Sequence, residues 1–185
     1  MAALDLSKGR DVQYAAGLAL GLLSGHSSRS EALAGDLEKR FPEDTFVKFT
    51  YAPVLHAQAE LRQGKAAEAV ERLEIAHRYE LAANGLSFSF YLGGLHSAYV
   101  RGEALIAEHR YAEAASEFQK ILDHRGIVGL DPIGALAHLQ LGRVFAVSGD
   151  KAKAKAAYEA FLGLWKDADA DVPILKAAKA EYARL

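Results

Sequence analysis

The chain has 185 residues, about half of them apolar, a formal net charge of −2 and no cysteine. That length suits one well-buried domain, the charge leaves no basic footprint for nucleic acid, and the lack of thiols excludes disulfides and thiolate metal sites. With only four prolines, abundant alanine and no long runs of β-branched residues, the composition predicts an all-helical protein.

In chain order, the apolar periodicity predicts nine helices. The first covers Asp11–Leu23 and the second Arg29–Arg40, with Ser28 and Glu31 as a capping box and Pro42 as its stop. The third runs from Asp44 or Thr45 to Gln63, ends at Gly64, and should kink or break at Pro53. The fourth covers Ala66–Tyr79. A connector from Ala82 to Gly94 carries Phe88, Phe90 and Tyr91 among its glycines and serines. Helices over His96–Glu108 and Tyr111–His124 follow, then a loop punctuated by Gly126 and Gly129. Asp131 should cap the seventh helix, with Pro132 at its first position, and that helix runs to Val147. Gly149 and Asp150 turn the chain into Lys151–Trp165, a polar linker spans Asp167–Asp171, and the last helix covers Val172–Arg184.

These helices fall into pairs with a common pattern. The clearest pairs hold Gly102 with Tyr111, Ala114 and Phe118, and Leu141 and Gly142 with Phe145, Ala154 and Tyr158. A small residue in each first helix is followed, twelve positions later, by a small residue in its partner: Gly102 and Ala114, Gly142 and Ala154. The small residues of the second helices, Ser30, Ala69, Ala114 and Ala154, lie 39, 45 and 40 residues apart. Stacked helical hairpins have this signature. Taken together, residues 1–185 read as one domain, with repeats near 11–42, 45–81, 88–125 and 131–166 and a capping helix at 172–184.

This pattern resembles the tetratricopeptide repeat, whose basic unit is about 34 residues. More narrowly, RFPEDT (40–45), YVRGEA (99–104), EFQKILDHRGIV (117–128), DPIGALAHLQLGR (131–143) and LWKDAD (164–169) resemble the C-terminal repeat region of bacterial serine/threonine protein kinases of acidobacterial type and related regulators. The resemblance implies a right-handed superhelical solenoid of about four helical hairpins closed by a C-terminal helix. It also implies a sensing or partner-binding appendage of a larger signalling protein. No kinase motif is present, so no kinase activity is implied.

In such a stack the first helix of each pair lines a concave groove and the second lies outside. The groove-facing positions are then Ala15, Ala19 and Leu22; Tyr51, Gln58, Leu61 and Arg62; His96, Tyr99, Glu103 and Ile106; and Leu139, Arg143 and Val147. Of these, Tyr51, Gln58, Arg62, His96, Tyr99, Glu103 and Arg143 are the candidate partner-binding residues, because polar and aromatic side chains anchor protein and peptide ligands. The seven histidines, at 26, 56, 77, 96, 109, 124 and 138, show no paired ligand spacing, and no nucleophile motif occurs. No cofactor, metal or enzymatic activity is expected. His56 and Glu60 share a helix face at i, i+4 as a surface pair, the Lys151, Lys153, Lys155 run reads as a solvated face, and Trp165 reads as core.

The expected function is a non-catalytic protein–protein interaction module. One alternative is self-association as a homodimer through an exposed terminal helix bearing Tyr14, Leu18 and Leu22. The other is a small-molecule sensor using the aromatic connector. Ala2–Ser7 reads like the tail of an earlier helix, as in a fragment of a longer protein. Ala15–Leu23 is apolar over only nine residues, too few to span a bilayer, and the start lacks a signal-peptide pattern. The chain reads as cytoplasmic, or extracytoplasmic if its parent is membrane-anchored.

Overall fold

Two helix backbones can approach closely only where the side chains between them are small, and the twelve-residue spacing supplies small residues in pairs. The computed structural model describes residues 2–22, 27–82 and 95–185. Among these it contains eleven α-helices and no strand. They are α1 (Ala2–Leu6), α2 (Arg10–Leu22), α3 (Ser27–Arg40), α4 (Ala52–Arg62), α5 (Ala66–Leu73), α6 (His96–Ala107), α7 (Tyr111–Asp123), α8 (Arg125–Val128), α9 (Ile133–Val147), α10 (Lys151–Leu164) and α11 (Pro173–Tyr182). No helix among the described residues is long and apolar enough to cross a membrane.

Helices pack in sequence order. α2 pairs with α3, α4 with α5, α6 with α7 and α9 with α10. The second helix of each pair touches the first helix of the next, and α2, α4, α6 and α9 also touch one another in series. α11 lies on α10 and buries Leu175 and Ala178, with Ile174 and Tyr182 partly covered.

The small residues sit at the contacts. Ala57, Ala69, Ala114 and Ala154 are fully buried. A Cβ built on Gly102 would lie 2.6 Å from Phe118 Cζ, and one on Gly142 would lie 2.8 Å from Tyr158 Cδ2. In the first pair, Ser30 Oγ donates to the Gly17 carbonyl at 2.9 Å. Three hairpin turns share one geometry: Lys65 N–H donates to Glu60 O, Arg110 N–H to Leu105 O and Asp150 N–H to Phe145 O, each at 2.9 Å. The left-handed residue of these turns is Gly64 (φ 77°), His109 (φ 59°) or Gly149 (φ 82°). His109 thus occupies a backbone conformation that favours glycine.

Local chemistry departs from the sequence expectations at several points. Pro53 does not break the third helix. A π-helical turn over Val47–Tyr51 precedes α4, with Ala52 N–H reaching Val47 O. The widened turn accommodates a proline ring that offers no N–H to the ladder. Asp44 Oδ1 caps this stretch, accepting from the N–H groups of Phe46 (2.9 Å) and Val47 (3.0 Å). α3 begins at Ser27, one residue before the predicted cap Ser28. The fourth helix ends at Leu73 and continues as a 3₁₀ turn over Glu74–Ala76. The short α8 replaces part of an expected loop and stops at Gly129, which has φ 59°. Asp131 Oδ1 does accept from Ile133 N–H at 3.0 Å, which caps α9. The aromatic connector residues Phe88, Phe90 and Tyr91 lie outside the described residues.

A buried ionic cluster ties α5, α6 and α7 together. The Arg101 guanidinium is 2% exposed and donates to Glu80 Oε1 (2.5 Å), Glu117 Oε2 (2.6 Å) and the Leu73 carbonyl (3.1 Å). Lys120 Nζ reaches the same two carboxylates at 3.1 and 3.0 Å, and Ser97 Oγ donates to Glu80 at 3.0 Å. Burial pushes the Glu80 carboxyl up, but Arg101 and Lys120 more than offset it and hold it below the usual carboxylate value.

Three substitutions test this packing by denaturant unfolding. Gly102→Ala forces a methyl against Phe118 and should destabilise by about 1–3 kcal/mol. Gly35→Ala meets nothing within 4 Å and should stabilise α3 by about 0.5–1 kcal/mol. Arg101→Leu strands Glu80 in the interior and should destabilise by about 3–5 kcal/mol.

Candidate functional site

The close helix contacts set the rotation of each first helix and therefore which residues face away from its partner. Successive residues point about 100° apart. Those just after the small residues Ala57, Gly102 and Gly142 are Gln58, Glu103 and Arg143. All three line one cavity of about 360 Å³ where α2, α4, α6 and α9 converge. α4 adds Leu61 and Arg62, α6 adds Ile106, α9 adds Gln140, and α2 offers Gly21.

Four of the seven candidate residues, Gln58, Arg62, Glu103 and Arg143, are brought together here. The other three are not on the open surface. Tyr51, His96 and Tyr99 are 1%, 4% and 3% exposed. They are packed in the interior. The Tyr14 and Tyr51 rings stack with centroids 3.8 Å apart, the His96 ring meets Tyr14 edge-on at 6.2 Å, and His96 Nε2 lies 3.2 Å from Asp131 Oδ2. Tyr51 also donates its hydroxyl to Asp11 Oδ1 at 3.1 Å. Burial pushes the Asp131 carboxyl up, against the opposing pull of His96.

This packing also corrects the basis for self-association. Tyr14 and Leu18 are 0% and 5% exposed within the single chain. Two of the three residues of the apolar face expected on the terminal helix are thus already covered, Tyr14 by Tyr51. The side chain of Leu22 lies outside the described residues. Among the other groove positions, Ala15, Ala19 and Val147 are exposed and Leu139 is buried.

Inside the cavity, polar groups are organised from α6 to α11. Gln140 Nε2 donates to Glu103 Oε1 at 2.9 Å and to the Tyr99 hydroxyl at 3.1 Å. Arg143 forks onto Glu181 of α11, with Nε and Nη2 each 2.9 Å from a carboxylate oxygen, and Tyr158 donates to the same carboxylate at 2.9 Å. Burial pushes Glu103 up to about 7, against the opposing influence of Arg62, the Tyr99 hydroxyl and Arg143. Burial also raises Glu181, but Arg143 and Tyr158 more than offset it and hold that carboxyl below its usual value. Gln58 is 3% exposed, and neither its amide oxygen nor its nitrogen has a hydrogen-bond partner among the described residues.

Sequence reasoning did not single out Gly21, Gln140 or Glu181. Gln140 was detectable, since it precedes Arg143 by three positions and shares its helix face. The contact of Glu181 with Arg143 depends on how α11 folds back. Elsewhere, His56 lies 3.3 Å from Glu38, while Glu60 pairs with Arg72 at 2.8 Å. Lys151, Lys153 and Lys155 are exposed, and Trp165 is partly buried against Phe161. No group of three or more His, Asp or Glu among the described residues is placed to hold a metal ion.

No protein-family model matches the chain, and no curated protein or solved structure matches it. The likeness to tetratricopeptide repeats therefore stands on the residues of the chain itself.

The state of Glu103 is open to a direct test. The native protein holds a proton that the unfolded chain releases near the ordinary carboxylate value. Stability should therefore fall as pH rises from about 4.5 to about 7, by of order 2 kcal/mol from this group. In Glu103→Gln that contribution should vanish, which parallel urea titrations at pH 5 and pH 8 would detect.

Proposed function

We propose that this chain is a non-catalytic protein-interaction module, built as a right-handed tetratricopeptide-like solenoid and serving as an appendage of a larger signalling protein. The observation carrying this reading is the convergence of four first helices, from four different hairpins, on one cavity. Support for the repeat architecture comes from the serial packing of α2, α4, α6 and α9, the buried small residues twelve apart, and the shared turn geometry. The binding face is the open half of these helices, where Arg62 and Ile106 present a charge beside an apolar surface.

The size of the cavity favours a second reading, the small-molecule sensor. A volume of about 360 Å³ lies at the low end of the range that holds small ligands. The described residues that line it lie on α2, α4, α6 and α9.

A displayed peptide library selected on the folded chain tests the interaction reading. Arg62→Glu and Ile106→Lys should weaken capture of the selected peptides at least about tenfold. Lys155→Glu, on the exposed side of α10, should leave it within about twofold. Loss of capture with Lys155→Glu alone would place recognition on the outer helices and defeat the proposal.

A further inference from the structure

Most polar groups around the cavity are already engaged. Arg62 Nη2 reaches the Gly21 carbonyl at 3.4 Å. Arg143 forks onto Glu181, and Glu103 accepts from Gln140, whose own amide oxygen faces Arg143. A charged guest would have to displace one of these contacts. Gln58 differs. It lines the cavity, is 3% exposed, and neither polar atom of its amide has a hydrogen-bond partner among the described residues. The amide lies against Gly21 of α2, which lines the same space: a Cβ built on Gly21 would collide with Gln58 Oε1. Buried amides are rarely left so, because the missing hydrogen bonds cost free energy that a bound group can restore. Leu61 and Ile106, each partly buried, supply the apolar part of the lining.

We propose that this cavity binds a small uncharged amide, a primary carboxamide or a lactam, paired edge to edge with the Gln58 amide and covered by Leu61 and Ile106. The glutamine amide presents an acceptor oxygen beside a donor NH2. A ligand edge with an N–H and a C=O on the same side satisfies both at once. A trans peptide bond cannot, because its N–H and C=O point in opposite directions. A ketone or a carboxylate accepts from Nε2 and leaves Oε1 unpaired. The pairing therefore selects a compact ligand over an extended backbone, in keeping with a cavity of about 360 Å³. No group has to gain or lose a proton for it to form. The assignment rests on the second reading above, the cavity as a small-ligand site.

The test titrates three probes into the isotope-labelled whole chain: hexanamide, N-methylhexanamide and heptan-2-one. Heptan-2-one has the shape of hexanamide with a methyl in place of the NH2, and N-methylhexanamide holds its amide trans. Side-chain amide resonances report on the site directly, and the spectrum of Gln58→Met identifies the pair that belongs to Gln58. Hexanamide should shift that pair and bind at least about tenfold more tightly than either other probe. Gln58→Met keeps the length of the side chain and removes the unpaired amide, so it should unfold at a higher urea concentration. It should also bind hexanamide and heptan-2-one within about twofold of each other. Gly21→Ala pushes a methyl against the amide, the mobile end of a flexible side chain. It should weaken hexanamide several-fold and leave heptan-2-one unchanged.

Equal binding of hexanamide and heptan-2-one to the native chain would overturn the amide assignment and leave the small-ligand reading of the cavity standing. A preference for hexanamide that survives Gln58→Met would overturn the role of Gln58. Binding of none of the probes would remove both the amide site and the small-ligand reading, whatever the outcome of peptide capture through Arg62 and Ile106.

Discussion

The close approach of α6 to α7 at Gly102 is the constraint on which the centre of the molecule depends. Phe118 occupies the space that any Cβ at Gly102 would take. Once that contact is made, the rotation of α6 is set, and its neighbours in sequence have no choice of direction. Arg101 turns toward Leu73, Glu80 and Glu117, where the charges neutralise one another away from water. Glu103 turns toward the cavity. Three consecutive residues thus perform three tasks because a helix rotates about 100° per residue. The same logic repeats at Gly142, where Tyr158 plays the part of Phe118 and Arg143 plays the part of Glu103.

Periodicity predicted the helices. The twelve-residue spacing of small residues marks the contacts at Ala57 and Ala69, Gly102 and Ala114, and Gly142 and Ala154. In the first pair, by contrast, Ser30 meets Gly17, thirteen positions earlier. The boundaries of α6, α7, α9 and α10 lie within a residue or two of their predicted positions. The ionic cluster was not legible, since Arg101, Glu80 and Lys120 look like ordinary surface charges in one dimension. Their burial follows from the turn after α5 folding back on α6, a tertiary event. The π-helical turn before Pro53 belongs to the same class. A proline in a helical pattern signals a missing hydrogen bond, but whether the helix breaks or widens depends on its surroundings.

The cavity shows the same division. Helical phase placed Gln58, Arg62, Glu103 and Arg143 on a common face, and they do meet. Phase also placed Tyr51, His96 and Tyr99 there, yet these are sealed. The difference lies in contacts between helices far apart in the sequence, which no repeat pattern encodes. Tyr14 on α2 reaches both Tyr51 and His96, so these rings pack together across several hairpins. An aromatic residue at a groove position therefore served as packing, and the shorter or charged side chains nearer the helix C-termini were left to line the open space.

The polar contacts of the cavity do not end at its wall. Glu103 is held by Gln140, whose carbonyl lies 3.5 Å from Arg143 Nη1, and Arg143 is held by Glu181. Glu181 in turn receives Tyr158, the same ring that packs against Gly142. The C-terminal helix α11 is thus part of the electrostatics of the site, because its carboxylate offsets the charge of one of the two arginines that line it. Removing α11 would expose apolar surface on α10, but it would also leave Arg143 uncompensated beside Glu103. An additional positive charge there stabilises the ionised carboxyl. The protonation of the cavity and the docking of the last helix are consequently two readings of one network.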